Sequence, residues 1–72
     1  MAAQTLTLTL NGIATDVVLD DATIADLVTQ LGLAGKRIAV ERNGEIVSRS
    51  RYASTRIARG DRLEIVAAVG GG

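Results

Sequence analysis

Thr5-Leu6-Thr7-Leu8-Thr9-Leu10-Asn11-Gly12 is the stretch whose reading decides the fold. Polar β-branched and apolar residues alternate strictly, which puts the leucines on one face of a strand. Asn11-Gly12 is a strong short hairpin signal, because both residues accept a positive φ. A returning strand is expected from about Ile13 to Leu19, with Val17 and Leu19 inward. The adjacent Val17 and Val18 leave its register open.

After this hairpin the period changes. Asp20-Asp21-Ala22 breaks the alternation, and Thr23 reads as a helix N-cap answered by Asp26 three residues on. The carboxylates of Asp20, Asp21 and Asp26 suit the positive end of a helix. Ile24, Leu27, Val28 and Leu31 form one apolar stripe, and Gly32 and Gly35 are candidate terminators. Ile38-Ala39-Val40-Glu41-Arg42 reads as a third strand with Ile38 and Val40 inward. Asn43-Gly44 is a second hairpin turn, and Glu45-Ile46-Val47 a short fourth strand. Ser48 to Arg59 shows no period of two; Tyr52, Ala53 and Ile57 are its expected anchors on the core. Gly60-Asp61 turns the chain into a last strand, where Leu63, Ile65 and Ala67 share one face and Val66 and Ala68 the other.

The order is hairpin, helix, hairpin, irregular link, final strand. The helix supplies the long crossover that lets the first and last strands pair side by side and parallel in the sheet centre. The expected architecture is α+β, a β-grasp or ubiquitin-like fold. It has a mixed sheet of four to five strands with one main helix on one face. Residues 1–69 form the domain, 1–4 a loose extension, and 70–72 a flexible glycine tail.

Composition narrows the function. A chain of 72 residues makes one small domain; one near this size buries only about 60% of its unfolded surface. That leaves little room for an enzyme cleft beside the core. Eight basic residues balance eight acidic ones, which argues against general binding to nucleic acid or membrane surfaces. The charge is unevenly distributed: the first 35 residues hold Asp16, Asp20, Asp21 and Asp26 and no Lys or Arg. Cys and His are both missing, so a disulfide, a thiolate nucleophile, an imidazole base and a Cys/His metal site are unavailable. Met1-Ala2-Ala3-Gln4 lacks the basic and apolar regions of a secretory leader. No apolar run reaches membrane-spanning length. The expected location is the cytoplasm.

The apolar last strand runs into Gly70-Gly71-Gly72. In isolation, a terminal glycine run is usually just a frayed tail. Here it follows a strand aimed out of a sheet, and glycines permit close approach to another backbone. The tail is therefore read as a thread into partner active sites, with Gly72 carrying the reacting carboxylate. Val66 and Ala68, with Arg62 and Glu64, are the candidate docking patch, against the equally weighted reading of ordinary exposed surface. Arg49, Arg51, Arg56, Arg59 and Arg62 form a basic run, best read as solvated. Docking to an acidic partner ranks second and nucleic-acid binding third. No metal site is expected.

The ordered set Asn43-Gly44-Glu45-Ile46-Val47, Arg49, Tyr52, Gly60-Asp61-Arg62-Leu63-Glu64-Ile65-Val66 and Val69-Gly70-Gly71-Gly72 resembles the ThiS family, the sulfur carriers of thiamine biosynthesis. Leu8-x-Leu10-Asn11-Gly12 and Ala22-Thr23-Ile24-Ala25-Asp26-Leu27 match as well. In that family a proline is common where Ser48 stands and a tryptophan where Tyr52 stands. The resemblance implies that the chain is a protein cosubstrate and not an enzyme, with no bound cofactor. A ThiF-like adenylyltransferase would use ATP to convert the Gly72 carboxylate to an acyl-adenylate. Sulfur coming ultimately from a cysteine desulfurase or another persulfide donor would displace AMP. The resulting thiocarboxylate would donate sulfur to a ThiG-like thiazole synthase. The alternatives are the small subunit of molybdopterin synthase or another ubiquitin-like sulfur carrier, and, in a different class, a non-catalytic ubiquitin-like interaction module.

Overall fold

The computed structural model describes residues 3–67. Its elements, in chain order, are strands β1 (Gln4–Leu10) and β2 (Ile13–Leu19), helix α1 (Ile24–Gln30), and strands β3 (Ile38–Arg42), β4 (Glu45–Val47) and β5 (Arg62–Ala67). A single 3-10 turn, Arg49–Arg51, lies in the link before β5. The sheet order is β2-β1-β5-β3-β4. β1 and β5 are parallel neighbours, pairing Thr9 with Arg62 and Leu10 with Leu63. All other pairings are antiparallel. This is the expected β-grasp with five strands.

The two hairpins form where the sequence placed them. Asn11 and Gly12 have φ of 50° and 83°, Asn43 and Gly44 of 53° and 86°. Two consecutive positive φ values match the right-handed twist of the flanking strands, which is why Asn-Gly occupies these turns. Pairing settles the open register of β2. Leu6 opposes Val17 and Gln4 opposes Leu19, so Val17 and Leu19 face inward and Val18 is exposed. Gln4 is the first residue of β1, so it belongs to the sheet and not to the loose extension expected over 1–4. Met1, Ala2 and residues 68–72 lie outside the described residues.

One face of the sheet meets α1 over a core of Leu8, Leu19, Ile24, Leu27, Val28, Val40, Ile57, Leu63 and Ile65. The stripe of α1 ends sooner than its spacing suggested. Leu31 is the C-cap and is 39% exposed, because Gly32 at φ 74° turns the chain out of the helix one residue later. Within the link, Ile57 is buried and Tyr52 half-buried, but Ala53 is exposed. Ala53 is thus not an anchor: the link meets the core through Ile57 and Tyr52, and through backbone bonds from Ile24 N to Thr55 O and from Ala25 N to Tyr52 O. On β5, Leu63 and Ile65 are buried as expected, while Ala67 is exposed.

Thr23 caps α1 as expected. Its hydroxyl accepts from Asp26 N at 3.2 Å. The return half of the capping box is displaced, since Asp26 accepts from Asp21 N at 3.0 Å and not from the cap residue. Thr23 is itself buried and bridges to Arg56. Replacing Thr23 with Ala is therefore expected to destabilise the domain by about 1–2 kcal/mol, read as a lower denaturation midpoint with an unchanged slope.

Candidate functional site

The candidate docking residues lie on and after β5, which occupies the middle of the sheet and precedes the glycines in sequence. Three of the four candidate docking residues lie among the described residues. Arg62, Glu64 and Val66 alternate with the buried Leu63 and Ile65, so they project from the sheet face that α1 does not cover. Val66 is 63% exposed and sits opposite exposed Ala39 on β3. Glu64 sits opposite Glu41. Arg62 stands beside Thr9 of β1. Ile46 on β4, 78% exposed and opposite Glu41, extends the same face. The result is apolar surface near the end of β5 beside two facing carboxylates. Like charges directly across a ladder are unfavourable in the free protein. Ala68, Gly70, Gly71 and Gly72 lie outside the described residues.

Arg49, Arg51, Arg56, Arg59 and Arg62 are all exposed, and Arg49 spends one N–H on Lys36 O at 3.2 Å. A cavity of about 190 Å³ on the helix side of the sheet is lined mainly by Ala25, Val28, Leu33, Ile38 and Tyr52, with Lys36 and Arg49. It contains no carboxylate, and the chain has no Cys or His to place there.

Three polar residues hold β5 in place. Asp61, which is 7% exposed, accepts from Ala58 N at 2.8 Å, from Arg42 Nε at 2.7 Å and from Asn43 Nδ2 at 3.1 Å. Burial alone would raise its pKa, but the bonds from Ala58, Arg42 and Asn43 and the Arg42 charge outweigh it and hold the carboxyl below its usual value. Asn43 Oδ1 accepts from Arg62 N at 2.8 Å. On the other flank, Asn11 Oδ1 accepts from Ile65 N at 2.8 Å and Asn11 Nδ2 donates to Ile65 O at 3.2 Å. Sequence reasoning assigned Asn11 and Asn43 to their turns and Asp61 to a turn with Gly60. The available signal was the recurrence of Asn-Gly, since a side-chain amide at a turn can also bond a neighbouring strand.

A central strand delivered from a β-grasp toward a glycine run defines a small ubiquitin-like carrier class. The ThiS family model matches residues 8–72, and the chain belongs to the ThiS family. It is 43% identical over 53 residues to the sulfur carrier protein ThiS of Bacillus subtilis, covering 74% of this chain and 80% of that one. It is 50% identical over 50 residues to a thiazole synthase of Paramagnetospirillum magneticum, covering 69% of this chain but only 15% of that protein. The chain thus spans a small piece of that relative. The crystal structure of a thiamine biosynthesis protein (ThiS) from Geobacter metallireducens superposes with a TM-score of 0.78 at 30% identity, covering 93% of this chain and all of the other.

Proposed function

We propose that this protein is a sulfur carrier of thiamine biosynthesis that supplies sulfur for the thiazole ring. The observation that carries this reading is family membership over residues 8–72, a span that takes in both the β-grasp and the glycines. A segment similar to this chain also occurs within proteins named thiazole synthase, which supports a thiazole synthase as the sulfur acceptor.

The reacting group is the α-carboxylate of Gly72. A carboxylate resists nucleophiles, because its charge is delocalised and oxide is a poor leaving group. An ATP-dependent adenylyltransferase joins the carboxylate oxygen to the α-phosphorus and releases pyrophosphate. A sulfur nucleophile then forms the carbon–sulfur bond as AMP leaves. If the nucleophile is a persulfide, a thiol must afterwards reduce the remaining S–S bond to leave the thiocarboxylate. The carrier contributes one reacting group, the Gly72 carboxylate, which is the nucleophile toward ATP and then the acyl group that sulfur attacks; otherwise it supplies a surface to hold. Gly70 and Gly71 give clearance in the partner's channel. A cysteine desulfurase is the indirect sulfur source, and the cytoplasm, where ATP is made available to such enzymes, is the compartment.

The test is incubation with ATP, a partner adenylyltransferase of proven activity and a sulfur source. Intact-protein mass spectrometry is expected to show one oxygen exchanged for sulfur at Gly72; an unchanged mass would overturn the reading. Rescue of a thiamine auxotroph, without rescue of a strain lacking molybdenum cofactor, separates this carrier from the molybdopterin synthase subunit.

Val66, with Ala68, Arg62 and Glu64, forms the docking face for the adenylyltransferase. Val66→Asp adds a third carboxylate near Glu64 and Glu41 and removes apolar contact area. It is expected to raise KM for the carrier by about tenfold, the loss of one well-buried apolar contact, with kcat nearly kept. An unchanged KM would remove Val66 from the interface.

A further inference from the structure

The β1–β5 ladder is short. Its last strand pair is Leu10 with Leu63, followed by one more backbone bond, from Asn11 N to Leu63 O at 2.8 Å. At Asn11-Gly12 the chain turns back into β2. β5 continues past this point to Ala67, with β3 as its neighbour on the other flank, pairing Ala39 with Val66 and Ile38 with Ala67. The peptide groups of Ile65 that face β1 would therefore meet no strand. Both are bonded instead by the Asn11 side chain, its oxygen accepting from Ile65 N and its amide nitrogen donating to Ile65 O. A primary amide offers the same donor and acceptor as a peptide group, so Asn11 adds one rung to the ladder after the strand has left.

We propose that Asn11 is a positioning residue for the carrier reaction: its side chain holds the end of β5 on the flank that β1 abandons and so sets the direction in which the chain leaves toward Gly72. This rests on the carrier reading above. The hairpin needs a residue that accepts positive φ at position 11, and Gly or Asp would serve that need as well as Asn. Only the amide both donates to and accepts from Ile65. Asn43, in the corresponding turn of the second hairpin, bonds Arg62 N and Asp61 at the start of β5, far from its exit. Without Asn11 the last residues of β5 would be held on one side only and would sample more conformations. Once the carrier is docked, fewer of these would bring the carboxylate into line with the α-phosphorus.

The test compares wild type with Asn11→Gly, Asn11→Asp and Asn43→Gly, all confirmed folded at the assay temperature by circular dichroism. Pyrophosphate release by the adenylyltransferase is measured against carrier concentration, and amide exchange at Ile65 by NMR. Asn11→Gly keeps the turn and removes both side-chain bonds. It is expected to lower kcat about tenfold with KM within about twofold, as docking is untouched, and to speed exchange at Ile65. Asn11→Asp keeps the acceptor but turns a carboxylate toward Ile65 O, and should fall between. Asn43→Gly reports a loss of stability without loss of exit geometry, and should keep kcat. Wild-type kcat in Asn11→Gly, or equal loss in Asn11→Gly and Asn43→Gly, overturns the role of Asn11 alone. Failure of wild type itself with a partner that activates its own cognate carrier overturns the carrier reading, and this proposal with it.

Discussion

Removing Gly72, or appending a residue after it, is expected to abolish thiocarboxylate formation while leaving the thermal midpoint unchanged. Each extended residue spans about 3.3–3.6 Å. Deletion of Gly72 leaves a carboxylate on Gly71, displaced from the α-phosphorus by about one such step when the domain is docked in the same place. Productive attack needs the reacting atoms about 3–3.5 Å apart, and a misplacement of only 1 Å can lower the rate about a hundredfold. An appended residue converts the Gly72 carboxylate to a peptide group and carries the terminal carboxylate about one step too far. Both variants leave the core of Leu8, Leu27, Val40, Leu63 and Ile65 untouched, so stability should not change. The measurement is intact mass after incubation with ATP, partner and sulfur source, beside a melting curve. A shortened or extended carrier that is thiolated at the wild-type rate would exclude Gly72 as the reacting residue.

Asp61→Ala is expected to destabilise the domain by about 2–4 kcal/mol. Its carboxylate holds three donors at once, from Ala58 N, Arg42 Nε and Asn43 Nδ2, and its backbone oxygen accepts from Thr9 N. Deleting one partner of a buried pair can cost about 3–5 kcal/mol. Arg42 is 34% exposed, and water recovers part of its loss, which places the expectation toward the lower end. A 72-residue domain has total stability of roughly 4–11 kcal/mol, so the loss is a large fraction of it. The pH dependence has a definite sign. The folded pKa of Asp61 is lowered, so its contribution is fully present above the unfolded value near 3.9. It disappears as pH falls below that value and through the folded one. Asp61→Asn should lose stability at neutral pH and lose less than wild type on acidification below about pH 4. Denaturant titrations at neutral and acid pH check both statements; equal acid sensitivity would remove Asp61 from the account.

The two faces of β5 were legible because their signals are local. The alternation of Arg62, Glu64 and Val66 against Leu63 and Ile65 assigns faces without any tertiary knowledge, and the exposure of Val66 agrees. The holding of β5 was not legible in the same way. Asn11 and Ile65 are 54 residues apart, and no local pattern joins them. Asn11 was fully explained by its turn, so nothing in the sequence demanded a second role. Ala53 and Leu31 were misplaced for a related reason: period alone cannot say where a link lifts off or where a glycine ends a helix.

The sequence by itself determined a sheet of four to five strands, one main helix with its Thr23 cap, and both Asn-Gly turns, because backbone preference and hydrophobic period act over a few residues. Only the tertiary structure decided that Glu41 faces Glu64, that Asp61 gathers Arg42, Asn43 and Ala58, and that Asn11 completes the ladder at Ile65. Those contacts exist because α1 carries the chain across the sheet to β3 and the link after β4 returns it as β5 between β1 and β3. Sequence separation hides them until the chain has closed on itself.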